Sequence, residues 1–204
     1  MNYKEIEERE LKVTIPIATN YLDCWELIKS DAIRHNVSGG GGIFKLLLRN
    51  SGFAFLFYYR LSCVRGFFYP FARFMKYRIG KKYGIQISHN TIVGYGLYFQ
   101  HPYGVILHES TIIGNNCTIS QFVTFGSMVK SAAVCGDNVY IGPNSCIVEN
   151  VIIGSDSVIG AGAVVVKDVP ENCTVAGCPA KIVSRNNSDR YIVNRYPFDK
   201  YTLR

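Results

Sequence analysis

The sequence predicts a mainly β protein in which a solenoid of short parallel strands follows an α-helical N-terminal region. The 204 residues are 48% hydrophobic and 18% charged, so the chain can bury a core. Helical spacing and helix caps are concentrated before residue 87, and a six-residue period runs from there to residue 170. We therefore expect an α-helical region at 1–86, a repeat domain at 87–170, and a C-terminal loop and tail at 171–204.

Two helical stretches are predicted in the first region. Asn20 can cap a helix over residues 21–35, and a glycine-rich run at 38–42 ends it and forms a hinge. Its apolar residues recur at spacings of three to four: Leu22, Trp25, Leu27, Ile28 and Ile33. A second stretch extends from residue 43 to about 82, with a break near Gly66 and Pro70.

The second helical stretch, "FAFLFYYRLSCVRGFFYPFARFMKYRIGKK", is crowded with aromatic and basic residues. One interpretation is a packed helical subdomain with arginines on its surface. The other is a basic and aromatic face that rests on an anionic membrane. The sequence leaves both open.

The repeat domain can be divided into units of six. An aliphatic or aromatic residue opens almost every unit and glycine often follows, as in IGNNCT, CGDNVY, IGPNSC, IGSDSV and IGAGAV. Thirteen units fit if the one at 105–112 is lengthened by two residues and the one at 125–134 by four. Neither a strand, with period two, nor a helix, with period 3.6, gives this repeat.

Six residues suffice for one short strand and one turn, and three such units close a triangular coil. The large residue that opens each unit then points inward and stacks on its equivalent one coil away. Glycine or another small residue follows where the backbone turns tightly. The period therefore predicts slightly more than four coils.

Charge, cysteine content and hydropathy narrow the classes of function. The net charge of +7 favours an anionic partner such as phospholipid head groups, nucleic acid or a phosphate-bearing cofactor. Seven scattered cysteines argue against disulfides and a zinc site and favour a reducing cytosol. The charged opening MNYKEIEERE is unlike a signal peptide, and no apolar run is long enough to span a membrane. We expect a cytoplasmic protein without a metal, with the inner face of the membrane as an alternative location.

Four segments carry a resemblance to a known family: "GLYFQHPYGVILHES", "TISQFVTFG", "GDNVYIGPNSCI" and "VVVKDVPENCTVAGCPAKIV". Over residues 84–185 the chain resembles the hexapeptide-repeat acyltransferases, whose fold is a left-handed parallel β-helix. It is most similar to the serine acetyltransferase branch and its polysaccharide-modifying relatives. The resemblance implies an O-acetyltransferase that uses acetyl-CoA.

The resemblance also implies a catalytic base and a cofactor groove. His101 stands where the resembling enzymes carry a histidine that removes the proton of the acceptor hydroxyl. In these enzymes acetyl-CoA lies between subunits of a homotrimer, so we expect a homotrimer here, with higher assemblies as an option. The expected neighbours of the cofactor are Gly126, Ser127, Gly142, Gly160, Ala161, Gly162, and Lys181 and Arg185 for its phosphates.

The acceptor site departs from the serine-using enzymes. They carry aspartates where this chain has Gln86 and Gln100, and an Arg-His pair that is missing from the loop between Phe125 and Cys135. His108 and Glu109 add a polar pair, and Tyr103, with Tyr95 and Tyr98, favours a sugar by stacking.

The main functional expectation is therefore acetylation of a sugar hydroxyl in capsule or O-antigen biosynthesis, with a saccharide or nucleotide-sugar as acceptor. Serine O-acetylation for cysteine biosynthesis is the enzymatic alternative. A non-enzymatic scaffold is the third hypothesis, against which His101 argues. No motif indicates a nucleic-acid partner.

Overall fold

The N-terminal 17 residues form a β-hairpin. In the computed structural model, which describes residues 1–198, strand β1 (Asn2–Glu8) pairs antiparallel with strand β2 (Leu11–Ile17). Leu11, Val13 and Ile15 alternate into a cluster with Val134 and Ile152 of the repeat domain. The predicted α-helical region at 1–86 did not include this hairpin, whose buried strand β2 has the period of two of a half-buried strand.

Helix α1 (Tyr21–Ile33) confirms the first predicted helix and its cap. The Asn20 side chain accepts hydrogen bonds from the amides of Leu22 and Asp23. Leu27 and Ile28 are buried as expected, whereas Leu22 and Trp25 are exposed. The buried face consists of Cys24, Leu27, Ile28 and Ala32, so it is rotated about the helix axis relative to the predicted apolar stripe.

Three further helices form the stretch predicted from residue 43 to about 82, for which the sequence predicted one break. They are α2 (Gly40–Arg49), α3 (Ser51–Leu61) and α4 (Tyr69–Tyr83). The glycines begin α2, with Gly39 at φ 81° in its cap position. Asn50 ends α2 and caps α3 by accepting from the Phe53 amide at 2.8 Å. The predicted break near Gly66 and Pro70 corresponds to the α3–α4 connection.

The repeat domain is a parallel β-solenoid of about four turns, which confirms the predicted fold class. Among residues 1–198 its strands form three sheets. One contains β4 (Ile92–Val93), β7 (Ile112–Ile113), β10 (Val134–Cys135) and β13 (Ile152–Ile153). The second contains β5 (Tyr98–Phe99), β8 (Thr118–Ile119), β11 (Tyr140–Ile141), β14 (Val158–Ile159), β16 (Thr174–Ala176) and the antiparallel β17 (Lys181–Ser184). The third contains β3 (Gln86–Ile87), β6 (Ile106–Leu107), β9 (Thr124–Phe125), β12 (Cys146–Ile147) and β15 (Val164–Val165).

The second residue of each short strand points into the solenoid, as the period predicts. Phe99, Ile119 and Ile141 are buried and aligned in register on successive coils of the second sheet. Leu107 and Phe125 do the same in the third. These residues belong to one continuous core that reaches the helices through Phe55 and Leu56.

The lengthened first coil differs from the prediction in one respect. Leu107 pairs with Ile87 and Phe125, so the two extra residues lie between Phe99 and Leu107 rather than at 105–112. They enlarge the corner that contains His101. The second insertion, before Cys135, is where the sequence predicts it.

The corner glycines are required by close packing of coils more than by backbone conformation. A Cβ on Gly114 would lie 2.4 Å from the Gly136 carbonyl oxygen. Asparagines occupy many of the left-handed corner positions instead, for example Asn116 at φ 54° and Asn138 at φ 55°. Asparagine tolerates this conformation because its short side chain can bond locally.

Candidate active site

His101 lies in the enlarged corner between β5 and β6, exposed to solvent. The Tyr103 amide donates to the His101 carbonyl at 2.9 Å, which makes the corner a tight turn. Within residues 1–198, no described hydrogen bond involves the His101 imidazole. The exposed ring can therefore present an unprotonated nitrogen to a substrate hydroxyl, which is what a general base requires.

Gln100 follows β5 at the start of this corner, Gln86 lies on β3, and their side chains have no described contact partner in common. Gln100 turns its side-chain oxygen toward the second sheet, where it accepts from Ser120 Oγ at 3.2 Å and Tyr140 Oη at 3.3 Å. It lines a cavity of about 540 Å³ beside Arg34. Gln86 lies exposed on β3, and its backbone amide bonds the Val105 carbonyl at 2.8 Å.

Three coils away, Ala161 and Gly162 occupy the same edge of the solenoid as His101. Amides on successive coils donate to the carbonyls of Tyr103, Gln121 and Pro143, and the last donor is Gly162. At roughly 4.8 Å per coil, the edge from His101 to Gly162 spans about 15 Å. Gly162 has φ 67°, and no atom lies within 4 Å of the position that a Cβ would take, which leaves room for an extended ligand beside the backbone.

The other two glycines expected on this edge are explained by packing. A Cβ on Gly142 would lie 2.8 Å from the Ala161 amide nitrogen. One on Gly160 would lie 3.0 Å from the Cβ of Ala176. Both sites therefore need glycine for coil stacking, whether or not a ligand passes.

A second group of expected site residues lies at the opposite end of the third sheet. His108 follows β6, Gly126 follows β9, and the His108 amide donates to the Phe125 carbonyl at 3.1 Å. His108 Nδ1 lies 2.9 Å from Ser110 Oγ and accepts from the Ser110 amide. Glu109 and Ser127 continue this second edge. One chain therefore does not bring His108 and His101 together.

Glu149 shapes the loop that follows Gly126. Its Oε2 accepts the backbone amides of Met128, Val129 and Lys130 at 2.9, 2.8 and 2.9 Å. These hydrogen bonds lower the pKa of Glu149 to about 2. The Glu149 carboxylate thus fixes the backbone of this loop. The sequence analysis missed Glu149, because its only sequence signal is a position one coil after the loop.

The end of helix α4 lies beside the His101 corner and carries a basic side chain. The Tyr103 ring contacts the Tyr83 ring at 5.4 Å between centroids. Lys82 Nζ lies 5.2 Å from the centre of the Tyr83 ring. Sequence reasoning missed Lys82, because only the fold places the end of α4 beside the corner.

Lys181 and Arg185 lie at the last coil, as their positions in the sequence suggest. Lys181 begins β17 and pairs with Ala176, and the preceding Ala180 amide donates to the Val164 carbonyl at 2.8 Å. Both basic residues are exposed. The remaining tyrosines fit the expected acceptor pocket less well: Tyr95 is buried and packs on Tyr196, and Tyr98 lies beside His35.

Comparison with known proteins identifies the repeat. The family description "Bacterial transferase hexapeptide (six repeats)" matches residues 132–167. Serine acetyltransferase of Synechococcus elongatus is 36% identical over 107 residues, which are 50% of this chain and 44% of that protein. The chain thus spans less than half the length of this curated relative.

Solved structures match a larger part of the chain. Serine acetyltransferase of Neisseria gonorrhoeae in complex with serine is 32% identical with a TM-score of 0.68, over 80% of this chain and 70% of that one. The enzyme of Brucella abortus in complex with coenzyme A is 27% identical with a TM-score of 0.65, over 78% and 66%. These names bear out the acyltransferase expectation at the level of the family.

The expected sugar acceptor was wrong. The relatives are serine acetyltransferases and one holds serine, so neither the polysaccharide branch nor a saccharide or nucleotide-sugar partner is supported. The expectation rested on Gln86, Gln100 and the loop without an Arg-His pair. It assumed that an amino-acid acceptor needs charged groups at those positions.

Proposed function

The chain belongs to the hexapeptide-repeat transferase family, with serine acetyltransferases as relatives, and we propose that it transfers the acetyl group of acetyl-CoA to the hydroxyl of L-serine. The observation that carries the proposal is the position of His101. Its imidazole has no described protein partner and shares an edge with the open backbone at Gly162.

The chemistry assigned to His101 is general-base catalysis. The imidazole takes the hydroxyl proton as the serine oxygen attacks the thioester carbonyl. It returns that proton to the departing thiolate when the tetrahedral intermediate collapses, so the histidine ends unchanged. Help of this kind contributes roughly 10²–10⁴ to the rate.

The donor is proposed to lie along the edge that runs from His101 to Gly162. A coenzyme A complex of a relative supports this choice of donor. Ala161 and Gly162 would border its extended arm. Lys181 and Arg185, exposed at the last coil, would contact its phosphates.

A homotrimer would bring the two separated edges together. His101 and Gly162 lie at one end of the third sheet, whereas His108 and Gly126 lie at the other. A groove between neighbouring copies can place the second edge of one copy opposite the first edge of the next. The division of the expected site residues between two edges supports this arrangement.

The acceptor is proposed to bind between the His101 corner and the end of α4. Tyr103 and Gln86 offer hydroxyl and amide contacts, and Lys82 offers a positive charge for the serine carboxylate. Lys82 would thereby replace the cation that the loop after Gly126 does not supply. Carboxylates such as Glu109, on the neighbouring copy across the groove, would bind the ammonium group of serine.

The test is thiol release from acetyl-CoA with L-serine as acceptor. L-alanine, which lacks the hydroxyl, and the His101→Ala variant are the controls. Release that requires both L-serine and His101, with O-acetylserine identified by mass spectrometry, supports the proposal. Release no faster with L-serine than with L-alanine would overturn it and return attention to a scaffold function.

A further inference from the structure

Helix α4 presents a stripe of aromatic side chains to solvent. Phe67, just before the helix, is 89% exposed, and Phe71, Phe74 and Tyr77 are 57%, 57% and 61% exposed. Their spacings of four, three and three residues place them on one helical face. The opposite face packs inward through Gly80, whose Cβ would lie 2.7 Å from the Ile85 carbonyl oxygen.

Basic residues extend this stripe toward the end of the helix. Arg78 and Lys81 are exposed and lie four residues after Phe74 and Tyr77. Lys81 Nζ lies 5.9 Å from the centre of the Tyr77 ring. The charged groups therefore border the aromatic rings directly.

Helix α2 adds a second exposed row of apolar and basic side chains. Phe44 and Leu48 are 62% and 71% exposed, and Lys45 and Arg49 follow them. A depression of about 280 Å³ lined by Leu48, Arg49, Ile79 and Lys82 joins the two helices. We call the combined surface of α2 and α4 the basic-aromatic face.

The charge around this face has one sign. Residues 32–108 contain none of the 15 Asp and Glu of the chain. They contain ten of its 22 Lys and Arg, of which Arg34 and Arg60 are buried and Arg60 is paired with Asp31. The other eight are Lys45, Arg49, Arg65, Arg73, Lys76, Arg78, Lys81 and Lys82. The rest of the chain is net acidic, so the positive charge is concentrated on the helical region.

We propose that the basic-aromatic face docks on an anionic lipid bilayer. Exposed aromatic rings enter the region between head groups and acyl chains, while lysine and arginine extend to the lipid phosphates. An anionic surface attracts such basic residues, whereas a second copy of this face would bring like charges together. In residues 1–198 no helix is long and apolar enough to cross a membrane, so the contact is peripheral.

Vesicle co-sedimentation of the full chain tests this proposal. Vesicles of phosphatidylcholine alone are compared with vesicles containing about one-third phosphatidylglycerol. The wild-type protein should sediment with the anionic vesicles and not with the neutral ones. Its binding should fall steeply between roughly 0.1 and 0.5 M salt, because salt screens the attraction.

Two variants separate the aromatic and the basic contributions. Phe71→Ser/Phe74→Ser and Arg78→Gln/Lys81→Gln should each weaken binding to anionic vesicles by at least about tenfold. The matched control is Ile182→Ser/Val183→Ser, which removes two exposed apolar residues of β17 and should bind like the wild type. Melting curves establish that each variant is folded.

Two outcomes would overturn the proposal. The first is vesicle binding that neither helix variant reduces. The second is a wild-type protein that does not bind anionic vesicles; if Phe71→Ser/Phe74→Ser also lowers its mass in light scattering, the face is assigned to contact between copies. Neither result depends on the acetyl-transfer assay, so the proposed function stands or fails separately.

Discussion

The guanidinium of Arg60 is bonded to the carboxylate of Asp31 in the interior of the protein. Nε and Nη2 of Arg60 each lie 2.9 Å from an oxygen of Asp31, and both side chains are almost fully buried. Arg60 also donates to the carbonyls of Val93 and Gly94, and Asp31 accepts from the Leu97 amide. Burial would lower the pKa of Arg60, but the Asp31 charge outweighs it and raises that pKa. The pair therefore links α1 and α3 to the first coil.

Asp31→Ala should lower the free energy of unfolding by about 3–5 kcal/mol, because it leaves the Arg60 charge buried without its partner. Urea denaturation followed by circular dichroism measures this. Glu7→Gln, which breaks the exposed pair with Lys12, is the control and should leave the denaturation midpoint nearly unchanged. A midpoint for Asp31→Ala equal to that of the control would contradict the assigned role.

The repeat domain was predictable from sequence because its signal is local and recurs in every coil. The placement of the two extra residues was not, since Val105 and Leu107 are both buried and either can open a unit. The hairpin was missed for another reason. Its period of two covers only one short strand, and the residues that bury it, Val134 and Ile152, are more than a hundred residues away in the sequence.

In the candidate site, too, some residues have a local sequence signal and others are brought there only by the fold. His101 was found because the residues around it resemble a family pattern. Lys82 lies over the ring of its neighbour Tyr83, which packs on Tyr103 of the first coil, and Glu149 bonds amides of the loop one coil earlier. Spacing alone does not reveal such contacts, so Lys82 was not considered when the acceptor was predicted.

Gly114→Ala should destabilise the solenoid by about 1–3 kcal/mol, since its new methyl group would overlap the backbone of Gly136 on the next coil. Thermal and urea unfolding measure the loss. Gly126→Ala is the matched control, because no atom lies within 4 Å of its Cβ position. Equal stability of the two variants would show that the coils can move apart without cost.

Glu149→Ala should increase the exchange rates of the backbone amides at residues 128–130, which lose their acceptor. Hydrogen exchange followed by mass spectrometry reports this, with Glu171→Ala as an exposed control. Because the folded-state pKa is lowered from 4.5 to about 2, the carboxylate holds the loop fully above pH 4.5 and releases it as the pH falls toward 2. Protection that is independent of pH down to 2 would exclude this role.

His101→Ala should lower kcat for acetyl transfer to L-serine by at least about 10², the lower end for a lost general base. Its melting temperature should stay close to that of the wild type, since the imidazole is exposed. His89→Ala, which removes a histidine bonded to Arg73 instead, is the matched control and should keep most of the activity. Turnover of His101→Ala near the wild-type value would remove this residue from the mechanism.

Lys82→Gln should raise KM for L-serine by about tenfold or more and change kcat much less. The reason is that a hydrogen bond between charged groups contributes about 1.5–3 kcal/mol, and Lys82 is the cation that approaches the His101 corner through Tyr83 and Tyr103. The acceptor L-serinamide, which has the hydroxyl but no carboxylate, separates this role from a general loss of structure. It should be used poorly by the wild type and equally poorly by Lys82→Gln. Lys81→Gln, one residue away and in contact with Tyr77, is the control and should keep the wild-type KM. If Lys82→Gln raises KM for L-serine and L-serinamide alike, the lysine does not bind the carboxylate.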